Sequence, residues 1–145
     1  MMSKSFTLFS VPKAVTVTHH PDVKACMATW SDLSAHCFRE AVTRGLTECG
    51  RLHCKSWIVN LTAPTPGVPS QADLAWIESD CIQIAKDNGV VAVINVHGAS
   101  AIATMGAKRW SKMIMQGGLT SYDCQAVSDA MALAAEIAAG KSHED

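Results

Sequence analysis

Short blocks of apolar residues alternate with polar segments along the chain, and their spacing predicts strands and helices in turn. Residues 6–10 and 14–18 are rich in β-branched and aromatic residues and flank a turn that contains proline, which predicts an antiparallel hairpin. Residues 56–62 and 90–96 are almost wholly apolar, as expected of strands buried on both faces of a parallel sheet. A fifth strand is predicted over residues 119–123.

The segments between these strands carry apolar residues at the helical period. Residues 21–49 are predicted to be helical, with a first piece over residues 21–30 and a second from about Asp32 to Cys49, and the pattern leaves open whether they form one helix or two. Further helices are predicted over residues 71–87, 101–116 and 125–139. The predicted order is β-β-α-β-α-β-α-β-α, which indicates an α/β fold with a mostly parallel central sheet covered by helices.

The composition is that of a single globular domain. The chain has 145 residues, of which 48% are hydrophobic and 17% charged, and its net charge of −1 offers no basic excess for holding phosphates. We therefore expect one domain over residues 1–140, a frayed tail over residues 141–145, and no nucleic-acid partner. No apolar run approaches the roughly 18 residues needed to cross a bilayer, and the N-terminus is a poor signal peptide. A cytoplasmic protein without a membrane partner is expected.

The six cysteines are interpreted as reduced thiols that pack as small apolar residues, because the chain is neither short nor rich in loops. Cys49, His53 and Cys54 lie close together in sequence, with His36 and Cys37 upstream. Their C-x₃-H-C spacing is not the paired arrangement typical of zinc sites, and no second pair follows. No metal and no cofactor are therefore expected.

Polar residues follow the predicted parallel strands at the point where each strand ends. Ligands of such sheets bind in the crevice at the carboxyl ends of the strands. The candidates for polar contacts in that crevice are Asn60, Thr62, His97, Ser100 and Asp123. This placement makes a small-ligand-binding domain one hypothesis for the function.

A hydrolase is another alternative, since Ser70, His97 and Asp123 would lie at one edge of the sheet as nucleophile, base and orienting carboxylate. However, the sequence around Ser70 lacks the G-x-S-x-G pattern, and no oxyanion-binding loop is recognisable. We therefore do not expect the protein to be an enzyme.

Ser70 stands at the start of a predicted helix, after a loop that contains three prolines. The segment from Ser70 to Asp73 fits the S-x-x-[DE] pattern of a helix N-cap, which suffices to explain the serine. A phosphate on Ser70 would also be stabilised by the free amides and the dipole of the helix. Two interpretations stay open: a cap alone, or a cap that is also a phosphoacceptor.

Five stretches give the chain a resemblance to the anti-sigma-factor antagonist (STAS) superfamily, and within it to the divergent SpoIIAA-like branch. They are the strands SWIVNLT and VVAVINV, the loop and helix start VPSQADLAWI, the helix segment GAKRW and the terminal YDCQAVSDAMALA. The resemblance covers most of the chain and implies a STAS-like fold.

In that family, a serine is phosphorylated at the start of the helix that follows the strand corresponding to SWIVNLT. The partner kinase that phosphorylates it docks on the same helix. The resemblance therefore implies a phosphoacceptor at Ser70, docking residues at Pro69, Asp73 and Trp76, and a protein partner of kinase or sigma and anti-sigma type. Trp76 is either exposed as an anchor for the partner or buried under the loop prolines. The leading hypothesis is a non-enzymatic regulatory module that binds another protein. The pattern also permits a homodimer.

A small basic cluster, Lys108, Arg109 and Lys112, lies on the helix predicted over residues 101–116. Isolated surface charges contribute little to stability, and we interpret this cluster as a solvated face. Pairing with an acidic partner or with a ligand phosphate is the alternative.

Overall fold

Six β-strands lie side by side in the order in which they follow one another along the chain. The strands are β1 (Phe6–Val11), β2 (Val15–His20), β3 (Ala25–Trp30), β4 (Ser56–Leu61), β5 (Ala92–His97) and β6 (Thr120–Cys124). Neighbours are antiparallel from β1 to β3 and parallel from β3 to β6. This computed structural model describes residues 5–140, so the tail predicted over residues 141–145 lies outside the described residues.

Helices connect the parallel strands and follow the last of them. They are α1 (Phe38–Arg51), a continuous helix made of α2 (Gln71–Trp76), a π-helical turn (Ile77–Cys81) and α3 (Ile82–Asp87), then α4 (Ala101–Gln116) and α5 (Val127–Ala138). The general prediction of an α/β protein with a mostly parallel sheet is confirmed. None of the helices within residues 5–140 has the length and apolar content required to cross a membrane.

The helix predicted over residues 21–30 is wrong, because this segment contains a sixth strand. Pro21–Val23 makes a single 3₁₀ turn, and Lys24 adopts the left-handed conformation that leads the chain into β3. β3 then pairs on both sides, antiparallel with β2 and parallel with β4. Its alternate side chains, such as Cys26 and Trp30, are buried. This pairing and packing outweigh the weak helix propensity of a short segment, so three strands precede α1 instead of the predicted two.

α1 begins at Phe38, later than the helix predicted from Asp32. The Asp32 carboxylate instead accepts hydrogen bonds from the backbone N–H of Ser34 (2.9 Å) and from its hydroxyl (2.6 Å), which stabilises a turn. The backbone N–H of Leu33, between Asp32 and Ser34, donates to the Pro66 carbonyl at 2.7 Å. This hydrogen bond connects the turn to the loop before α2. The predicted helical region is therefore neither one helix nor two, but a strand, a turn and a single helix.

The helices divide unequally between the two faces of the sheet. Right-handed crossovers between strands in sequential order place α1 to α4 on one face, where they cover a large core that includes Trp57 and Trp110. α5 covers the other face, where Ala130 packs with Ile58 and Ile94. Successive residues of each parallel strand therefore face different helices.

Candidate functional site

The loop between β4 and α2 is held against the rest of the domain. Pro66 and Pro69 are buried, and the Pro66 carbonyl accepts the backbone hydrogen bond from the turn before α1. Val68 packs on α4 at Gly106, so closely that a Cβ added to this glycine would lie 2.9 Å from Val68 Cγ1. The loop thus presents Ser70 at a fixed position near α4.

Ser70 is the N-cap of the continuous helix that begins with α2. Its backbone is extended (φ −63°, ψ 163°), and its Oγ accepts the Asp73 N–H at 3.0 Å. The Asp73 carboxylate binds the Arg39 guanidinium, with Nε and Oδ1 2.7 Å apart, instead of closing a capping box. Ser70 is exposed, so its hydroxyl is accessible to solvent while it caps the helix.

The other three predicted docking residues are engaged within the domain. Pro69 is buried, and the Asp73 carboxylate carries the ion pair just described. Trp76 is half-buried and meets the Phe38 ring edge-on, with ring centroids 6.2 Å apart. Phe38 in turn contacts the buried ring of Trp30. Trp76 therefore packs on the margin of the core, against α1, rather than standing free as an anchor.

A groove runs between α2 and α4, starting at the residue after Ser70. It encloses about 470 Å³. Its lining consists of Gln71, Leu74, Ala75, Glu78, Arg109, Lys112, Met113 and Gln116. Leu74 and Met113 give it apolar surface, while the exposed Arg109 and Lys112 form a basic rim on the α4 side. We call this feature the α2–α4 groove.

Two exposed apolar side chains extend the α4 wall of this groove. Ile102 and Met105 are 67% and 65% exposed. At 100° per residue, they share one face of α4 with Arg109 and Lys112. Exposed apolar side chains that adjoin a charged rim are typical of protein-binding surfaces. Sequence reasoning found the basic cluster but missed the apolar pair, because apolar residues of a predicted helix are assigned to its buried face.

The five candidates for a ligand crevice are divided between the two faces of the sheet. In the parallel register, Asn60 is opposite Val96, and Leu61 is opposite His97. Because paired residues of neighbouring strands point to the same side and successive residues to opposite sides, Asn60 and His97 project from opposite faces. Asn60 is therefore on the α5 side of the sheet and His97 on the α4 side.

Most polar groups of these residues make hydrogen bonds within the domain. Asn60 Oδ1 accepts hydrogen bonds from the N–H (3.0 Å) and hydroxyl (2.7 Å) of Thr62, and Ser100 Oγ caps α4 by accepting a backbone N–H at 3.2 Å. His97 Nε2 and Asp123 Oδ1 are hydrogen-bonded at 2.6 Å, and His97 Nδ1 is buried without a partner among the described residues. None of the five lines the α2–α4 groove or the apolar cavity of about 50 Å³ beneath the helices.

Within residues 5–140, Ser70, His97 and Asp123 are not joined in a hydrogen-bonded triad. Ser70 Oγ is engaged at the helix N-terminus and makes no hydrogen bond to His97, whose partner is Asp123.

Gly98 lies against the backbone of β4, where a Cβ would be 2.8 Å from the Leu61 carbonyl oxygen. The segment after β5 is therefore a tight turn that needs glycine for close approach.

Three of the six thiols converge at the amino end of the parallel strands. The Sγ atoms of Cys26, Cys49 and Cys54 lie within 4.8 Å of one another, and all three residues are buried. His53, which lies close to Cys49 and Cys54 in sequence, is exposed. Sequence reasoning missed Cys26 because it lies in the segment that was predicted to be helical. We call these three residues the thiol cluster.

No protein family, no curated protein and no solved structure matches this chain. The resemblance to anti-sigma-factor antagonists therefore rests on the sequence stretches quoted above. The structure brings candidate functional residues together in three places, which are the surface around Ser70, the carboxyl edge of the sheet and the thiol cluster.

Proposed function

We propose that the protein is a non-enzymatic regulatory module that binds another protein through the α2–α4 groove, with Ser70 as a phosphorylation switch. The observation that carries the proposal is the exposed apolar pair, Ile102 and Met105, which continues the groove on the face that bears Arg109. The resemblance to anti-sigma-factor antagonists supports a protein partner and a phosphoacceptor at this helix start.

The chemistry of the groove favours an amphipathic helical segment with acidic flanks as its occupant. Met113 and the exposed Ile102 and Met105 offer apolar contacts along α4, and the largely buried Leu74 adds a small one from α2, as in helix-in-groove recognition. Arg109 and Lys112 on the α4 rim attract acidic side chains, whereas Glu78 on the opposite wall repels them, and this asymmetry sets the orientation of the bound segment.

A phosphate on Ser70 would alter this surface. It carries a charge of about −1.5 to −2 and is stabilised by the unpaired N–H groups at the start of the helix. Arg39 is paired with Asp73, three residues after Ser70, and its guanidinium would bind the phosphate. Negative charge added beside the groove repels an acidic partner, so phosphorylation is expected to release it.

Photo-crosslinking in the native host tests the groove. A photoreactive amino acid replaces Met105 and, as a matched control, the exposed Ala132 on α5. We expect a discrete crosslinked heterodimer from position 105 and none from position 132. When Arg109→Glu is added to the protein with the photoreactive residue at position 105, the yield of the crosslinked heterodimer is expected to fall by at least about tenfold. The substitution removes the attraction for an acidic segment.

Two results would contradict the proposed occupant. A crosslinked product of twice the mass of the chain would identify a second copy of this protein in the groove. Equal crosslinking from positions 105 and 132 would show that the groove is not a preferred contact surface.

A further inference from the structure

Two of the clustered thiols already have the spacing of ligands on one metal ion. Cys26 lies in β3, Cys49 in the last turn of α1 and Cys54 just after that helix. The Sγ atoms of Cys26 and Cys54 are 3.7 Å apart. In a tetrahedral site with Zn–S bonds of about 2.3 Å, two sulfurs lie about 3.8 Å apart along an edge of the tetrahedron.

The backbone after α1 holds Cys49 and Cys54 together. The Cys54 N–H donates to the Cys49 carbonyl at 2.8 Å. His53, between them, has a left-handed backbone (φ 57°), which turns the chain back beneath the end of the helix. A positive φ is uncommon for a residue other than glycine and marks a position that the surrounding structure fixes.

His19 lies beside the thiol cluster and is the candidate for a fourth ligand, although its ring nitrogens are not among the atoms that lie within 4.8 Å of one another. It is directly opposite Cys26 in the antiparallel β2–β3 ladder, which places the two side chains on the same face with Cβ atoms about 4.5–5.5 Å apart. Its ring is buried, with 7% exposure, and Phe6 packs edge-on against it. His19 Nδ1 is buried without a hydrogen-bond partner among residues 5–140. Such a group is costly unless something bonds to it.

The thiol cluster is a chemically suitable set of donors for a soft cation. Its three Sγ atoms are buried and lie within 4.8 Å of one another. A bound dication would stabilise all three sulfurs as thiolates.

We propose that the thiol cluster and the His19 imidazole form a structural site for Zn²⁺. Three cysteines and one histidine are a known ligand set for structural zinc, and thiolates select zinc over magnesium or calcium. All four side chains are buried, so the site is closed and leaves no position for a substrate. The ion would tie the β2–β3 hairpin to the end of α1, at the edge of the sheet opposite Ser70. The proposal is independent of the proposed function.

Metal analysis of the full chain, purified without chelators, tests the site. We expect about one Zn²⁺ per chain, and Co²⁺ in its place should give the visible absorption of a tetrahedral thiolate complex. Cys26→Ser and His19→Ala are expected to weaken Zn²⁺ binding by at least about 100-fold. The matched control is Cys81→Ser, which removes a half-buried thiol outside the cluster and should retain the ion.

A second measurement needs no variant and covers the case in which the substitutions prevent folding. Wild-type protein is stripped with a chelator and titrated with Zn²⁺ alone. We expect a Tm that rises with the Zn²⁺ concentration. Any of three results would overturn the proposal. They are a wild-type zinc content no higher than that of folded Cys26→Ser, a Tm that does not respond to Zn²⁺, and a disulfide between Cys26 and Cys54 in the purified protein.

Discussion

Asn95→Leu is expected to lower the free energy of unfolding by about 3–4 kcal/mol, because it breaks a buried polar network. Asn95 is fully buried in β5, and its Oδ1 accepts the Trp110 Nε1–H at 2.9 Å. Its Nδ2 donates to the hydroxyls of Ser111 (3.0 Å) and Ser121 (3.3 Å). The leucine fills similar space but leaves the indole N–H and both hydroxyls without this partner.

Urea denaturation followed by circular dichroism measures this change. Ser121→Ala is the matched control, since it removes only one edge of the network and is expected to cost about 1 kcal/mol. Because Asn95 fixes α4 on β5, it also positions the wall of the α2–α4 groove. An Asn95→Leu protein within about 1 kcal/mol of wild type would show that this network does not hold α4.

Ser70→Glu is expected to reduce the crosslink from position 105 by at least about tenfold, while Ser70→Ala retains it. Both substitutions remove the hydrogen bond that Ser70 Oγ accepts from the Asp73 N–H, so both lose the helix cap. Only glutamate adds negative charge beside the groove. The difference between the two variants therefore isolates repulsion of the acidic partner from any loss of helix stability.

Ser128→Glu, on the exposed surface of α5, is the matched charge control and should crosslink like wild type. Circular dichroism confirms that the variants are folded before the yields are compared. Equal yields from Ser70→Glu and Ser70→Ala would contradict electrostatic release. Loss of the crosslink in Ser70→Ala alone would show that the hydroxyl itself is part of the docking surface.

The strands with the strongest sequence signal were predicted well. β4 and β5 have continuous apolar runs because helices cover both of their faces, and a short run of that kind is typical of a strand in the middle of a parallel sheet. α4 was equally clear, since Ser100 caps it and Gly117 ends it. These elements suffice to predict an α/β fold with a parallel core.

β3 could not be predicted because its identity depends on its neighbours. Its residues include good helix formers, and only the ladders to β2 and β4 make the extended conformation favourable. That one error also concealed the thiol cluster, because Cys26 approaches Cys54 only if the segment is a strand beside β4. Cys49 and Cys54 alone do not have the spacing of a metal motif.

The register between strands was a second limit on prediction. The sequence places Asn60 and His97 near the ends of neighbouring strands, but the side to which each points depends on an offset of one residue in the pairing. The α2–α4 groove could not be predicted either, because its two walls come from helices that only tertiary packing brings together, including the packing of the loop before α2 on Gly106.

The switch at Ser70 is tested most directly by the intact mass of the protein isolated from its native host with phosphatases inhibited. We expect a wild-type species heavier by one phosphoryl group, which is absent from Ser70→Ala and retained in Ser34→Ala, a control that removes another exposed serine. A single unmodified mass for wild type in both growing and resting cells would contradict the switch. Ser70 would then be a helix cap alone.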